Sequence, residues 1–112
     1  RGRCVLFTGD VSMGGEPDFI PDADVLKVAH HGSKKSTSER FLEMADPEIA
    51  VVSVGENNYG HPSEETLERL RDAGAAVYRT DQCGAITIHV DPGGEMSVKT
   101  YLPRRAWKND VE

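Results

Sequence analysis

Apolar residues in this chain come in short bursts, and nearly every burst ends on glycine, aspartate, asparagine or histidine. Cys4, Val5, Leu6 and Phe7 run into Thr8-Gly9-Asp10, and Val25, Leu26, Val28 and Ala29 stop on His30-His31-Gly32. Ile49, Ala50, Val51, Val52 and Val54 give way to a long polar stretch that reaches Pro62. Such apolar runs bounded by turn residues predict strands, and the one that ends on the histidines is expected to be buried. Ala76-Val77-Tyr78-Arg79 predicts a fourth, short strand. Beyond it, Ile86, Ile88 and Val90 alternate with Thr87 and His89, so His89 is expected on a solvated face. Asp91-Pro92-Gly93-Gly94 then predicts a hairpin into a last strand over 96–102.

Helical spacing occupies two of the intervals. Phe41, Leu42 and Ala45 share a face, Ser36 and Glu39 have capping-box spacing, and Asp46-Pro47 is a stop, which predicts a helix over 37–45. A second helix is predicted over 62–73, with Leu67 and Leu70 inward, Glu64, Glu65 and Glu68 outward, and Gly74 as its end. Residues 11–23, with Gly14, Gly15, Pro17 and Pro21, read as an irregular connection long enough to return the chain parallel to its first strand. The order strand, crossover, strand, helix, strand, helix, strand implies parallel neighbours, whose carboxyl ends then lie along one edge.

That edge collects the chemistry. Asp10, the His30-His31 pair and the Asn58-Tyr59-Gly60-His61 loop each follow a strand, so residues far apart in sequence are expected on one rim. Taken singly, Asp10 reads as an Asx turn, one imidazole as packed under a loop, and Lys34 and Lys35 as solvated lysines beside a helix. Taken together, a carboxylate, imidazoles and an amide-rich loop suit a hydrolytic site holding zinc or manganese, with Lys34 and Lys35 placed to meet an anion.

Composition narrows this further. With 112 residues, 38% hydrophobic and 29% charged, the chain has one domain's length and an ordinary globular balance. Its net charge of −6 argues against a general electrostatic grip on nucleic acid, so a phosphodiester would need a local basic or metal site. No apolar run approaches the roughly 20 residues that cross a bilayer, and no leader pattern precedes the first strand. The start at Arg1 instead suggests a segment of something longer. Cys4 and Cys83 lack the spacing of a zinc or redox pair; both read as structural, and a disulfide between them stays open.

Four pieces, Leu6-Phe7-Thr8-Gly9-Asp10, Asp24-Val25-Leu26-Lys27-Val28-Ala29-His30-His31-Gly32-Ser33, Ser53-Val54-Gly55-Glu56-Asn57-Asn58-Tyr59-Gly60-His61-Pro62 and Val77-Tyr78-Arg79-Thr80-Asp81 with Gly84-Ala85-Ile86-Thr87-Ile88, carry a family resemblance. In order and spacing they resemble the metallo-β-lactamase-like domain of ComEC-type DNA-uptake proteins as far as Leu102. The resemblance implies an α/β fold: the C-terminal half of an αββα sandwich over residues 1–102, a mixed sheet with helices on one face, and a tail over 103–112.

It further implies a metal-dependent phosphodiesterase or nuclease domain with two ions when intact. Asp10 corresponds to the bridging aspartate, and the His30-His31 pair supplies a late histidine ligand. His30, which ends the strand, is the first choice, with His31 turned to phosphate or to catalysis; the reverse assignment stands beside it. Ser33, Lys34, Lys35 and Asn58 fall to substrate binding, and Tyr59 and His61 to catalysis through substrate or leaving-group contact. The family's main histidine and aspartate cluster is absent from these residues, so this polypeptide alone is expected to bind metal weakly or not at all and to be inactive. Its expected partners are the missing N-terminal half, the transmembrane channel of a parent in the bacterial inner membrane, DNA as the parent's substrate, and a second copy of this soluble segment. The competing reading is a non-catalytic interaction or DNA-guiding module on the same fold.

Overall fold

In the computed structural model, residues 3–9, 11–54 and 62–102 are described, with His30 described through its backbone only. Four strands, β1 (Val5–Phe7), β2 (Val25–Lys27), β3 (Ile49–Val52) and β4 (Ala76–Arg79), form one parallel sheet in the order β1-β2-β3-β4. Because the order follows the chain and crossovers share one hand, their connections belong on one face. The packing agrees. Leu6, Leu26, Ala50 and Val77 stand in register across the four strands. They join one core cluster with Phe41, Leu42 and Ala45 of α1 (Glu39–Ala45) and Leu70 of α2 (Glu64–Asp72).

The final segment forms its own two-stranded antiparallel sheet, β5 (Ile86–Val90) with β6 (Met96–Thr100), after a one-turn helix α3 (Thr80–Cys83). The parallel and antiparallel parts are thus separate ladders within the expected mixed α/β fold. The alternation holds over the first four residues, where His89 faces Ser97 and is exposed while Ile86 and Ile88 are half-buried, but Val90 at the strand's end is exposed as well. Arg3 Nε donates to the Gly94 carbonyl and so ties the hairpin turn beside the start of β1.

Several boundaries differ from expectation for local reasons. Helix α1 starts two residues late, because Ser38, not Ser36, is the cap, its Oγ accepting from Phe41 N at 3.1 Å. Ser36 is fully buried instead, its hydroxyl donating to Ala29 O and Ser33 O at 3.1 and 3.0 Å. Asp46 takes a left-handed conformation and closes the helix onto Leu42 O, with Pro47 beyond it as expected. Helix α2 is capped by Ser63. The stretch 80–84, read as a turn, contains α3, and the last strand ends at Thr100. Cys4 is exposed, Cys83 is buried, and both are free thiols. Among the described residues no helix is long and apolar enough to cross a membrane.

Candidate functional site

The three loops expected to converge leave the carboxyl edge of the parallel sheet. Asp10, Asn58, Tyr59 and His61 lie outside the described residues, yet the chain on either side of them is bonded to the histidine loop. Before position 10, Thr8 Oγ1 donates to Lys27 O at 2.6 Å; after it, Met13 N donates to Lys35 O at 2.8 Å. Before the 55–61 loop, Ser53 O accepts from the His31 ring at 2.7 Å; after it, Ser63 N donates to Gly32 O at 2.9 Å. Thr80 adds a clasp at the end of β4, its hydroxyl accepting from Val54 N and donating to Val54 O, both at 2.8 Å.

The histidine loop itself is contorted. Residues Ala29–Gly32 form a 3₁₀ turn, and His31, Gly32 and Thr37 have φ of +53°, +81° and +58°. Left-handed backbone is disfavoured for any residue with a Cβ, most of all a β-branched one such as Thr37. The exception is affordable where the surroundings over-determine it. Here Ser36 Oγ holds the carbonyls of Ala29 and Ser33, Thr66 Oγ1 also donates to Ser33 O at 2.9 Å, and Arg69 donates to Lys34 O, Ser36 O and Thr37 O. Gly32 is required sterically as well, since a Cβ there would lie 2.6 Å from Pro62 Cβ.

His31 is exposed, and its Nδ1 faces a carbonyl, which can only accept. In the neutral imidazole Nδ1 then carries the proton and Nε2 the lone pair, the arrangement in which a ligating histidine is held by a backbone partner. Ser33 is buried, its Oγ accepting from Lys35 N at 3.2 Å, and the side chains of Lys34 and Lys35 are exposed beside it. Among the described residues no group of three histidine, cysteine, aspartate or glutamate side chains is close enough to hold a metal ion. Any metal at His31 would therefore have to draw other ligands from outside the described residues. Glu16, Thr66, Arg69 and Thr80 were invisible as site-builders in the sequence, because each acts on a carbonyl or amide more than twenty residues away.

Residues 1–56 match the model of the metallo-beta-lactamase superfamily. The chain is 44% identical over 91 residues to ComE operon protein 3 of Bacillus subtilis, a match covering 76% of this chain and 12% of that protein. It is 34% identical over 114 residues to competence protein ComA of Neisseria gonorrhoeae, covering 96% of this chain and 16% of the relative. It is 38% identical over 91 residues to recombination protein 2 of Haemophilus influenzae, covering 78% and 12%. The matched part is thus a small fraction of each relative's length. No solved structure matches the chain.

Proposed function

The chain belongs to the metallo-beta-lactamase superfamily, together with its competence-protein relatives, and from that premise we propose that it is the C-terminal half of a metal-dependent phosphodiesterase or nuclease domain in a DNA-uptake protein. The observation that carries this reading is the set of bonds joining both flanks of position 10 and both flanks of the 55–61 loop to the segment 27–35. Asp10 and one or both of His30 and His31 would hold zinc or manganese, and His31 offers an Nε2 that bonds nothing among the described residues. Such an ion supplies an activated water and neutralises a phosphoryl oxygen. This chain's own residues then bind and orient the substrate: Lys34 and Lys35 offer cations to a phosphate beside Ser33, and Asn58, Tyr59 and His61 take the substrate and leaving-group contacts that the family resemblance assigns to them. The remaining ligands belong to the preceding half of the fold, and the parent is an inner-membrane protein whose channel this domain serves.

Zinc titration of the intact domain, in which the preceding half supplies the remaining ligands, followed through its imidazole ¹⁵N resonances, tests the ligand assignment. A selective shift of His31 Nε2, with or without His30, is expected; no movement of either at millimolar zinc sinks it. In the full-length protein, Asp10→Ala and His31→Ala are expected to lower metal-dependent DNA hydrolysis by about a hundredfold. Full retention of DNA uptake in both variants, with no hydrolysis in the parent, identifies a DNA-guiding module instead.

A further inference from the structure

One guanidinium on α2 is bonded to the histidine loop at three carbonyls. Arg69 Nε donates to Thr37 O at 2.9 Å, and its Nη2 lies 2.9 Å from Ser36 O, 3.2 Å from Lys34 O and 3.2 Å from Thr66 Oγ1. Carbonyls gathered in this way are a converging set of negative dipoles, and they need donors spread in a plane. A guanidinium has five N–H groups in a fixed fork, whereas an ammonium is a point charge that satisfies one or two such acceptors at a time. One of these acceptors belongs to a strained residue, since the β-branched Thr37 is left-handed, and His31 upstream is left-handed too. Backbone forced into such a region relaxes unless its neighbours fix it.

We infer that Arg69 is a positioning residue: it locks residues 34–37 so that the preceding turn presents the His31 ring to Ser53 O and leaves Nε2 outward. The route is short. Ser36, whose carbonyl Arg69 holds, binds Ala29 O and Ser33 O through its hydroxyl, and these bracket His31. The catalytic meaning of this lock rests on the site reading above; the lock itself does not.

The test is the tautomer of His31, read from imidazole ¹⁵N shifts at about pH 8. Wild type is expected to show the Nδ1–H form in excess. In Arg69→Ala that excess falls severalfold and recovers in part on addition of guanidinium ion, while Arg69→Lys is intermediate. Ile20→Val, a change at a buried core position outside residues 29–37, serves as the control for general loosening and leaves the tautomer unchanged. If Arg69→Ala does not fold, Arg69→Lys and Arg69→Gln decide by the same reading. An unchanged tautomer in the Arg69 variants, or an equal change in Ile20→Val, overturns the inference. Zinc moving no imidazole while the tautomer still follows Arg69 removes the metal reading and keeps this one.

Discussion

At position 32 a methyl group would meet Pro62 at 2.6 Å from its Cβ and 3.0 Å from its Cα, and the backbone there has φ of +81°. Neither obstacle is the end of a flexible side chain, so Gly32→Ala has to move the loop or the start of α2. A loss of about 1–3 kcal/mol is expected from the left-handed conformation together with the clash, read as a lowered urea midpoint at constant slope. The His31 to Ser53 bond should weaken in the same variant, seen as faster exchange of the imidazole proton. A stability change within a few tenths of a kcal/mol would mean that the 29–37 turn is looser than its hydrogen bonds indicate. The glycine's role as a sharp turn was legible from its place after an apolar run, but its contact with Pro62 was not. No local pattern announces which residue thirty positions later will pack against a backbone.

Helix α1 has only seven residues and is too short to persist on propensity alone, so its ends decide whether it forms. Its third residue, Phe41, has no carboxylate to reach back to the cap. Glu16, from the connection after β1, takes that place: its carboxylate accepts from Ser38 N at 3.0 Å and from Ser38 Oγ at 2.6 Å, with its side chain only 2% exposed. Arg40 completes the strap by donating to Pro17 O and Asp18 O at 2.9 and 3.3 Å. Ser38→Ala should cost about 1 kcal/mol and Glu16→Gln about 1.5–3 kcal/mol, the latter because a buried charged acceptor is replaced. Because the two share one contact, the double variant should fall short of their sum by at least about 0.5 kcal/mol. Strict additivity in denaturant titrations would show that Glu16 caps nothing. The strands, α2 and the hairpin were legible because period and punctuation are local signals, whereas the start of α1 was misread because its capping carboxylate comes from 22 residues upstream.

On the face of the parallel sheet opposite α1 and α2, two rows of side chains differ in cover. Val5, Val25, Ile49 and Ala76 share the row nearer the tethered hairpin turn, and there Val25 and Ile49 are buried. Phe7, Lys27, Val51 and Tyr78 share the next row, nearer the candidate site, and Phe7 is 75% exposed on a strand with no neighbour beyond it in the sheet among the described residues. Element order made the parallel sheet legible, but not the hairpin's separation from it, since strand pairing across such distances is settled by packing. An exposed aromatic beside an open edge invites a partner. Under the half-domain reading, that partner is the preceding half of the fold in the full protein and a second copy in this chain by itself. Sedimentation of the chain should therefore show concentration-dependent association, and Phe7→Lys should weaken it by about tenfold or more, as the loss of one buried aromatic per copy requires. A monomer at every concentration would show that β5 and β6 already cover as much of this face as the fold needs, and would remove the strongest physical reason for a missing half.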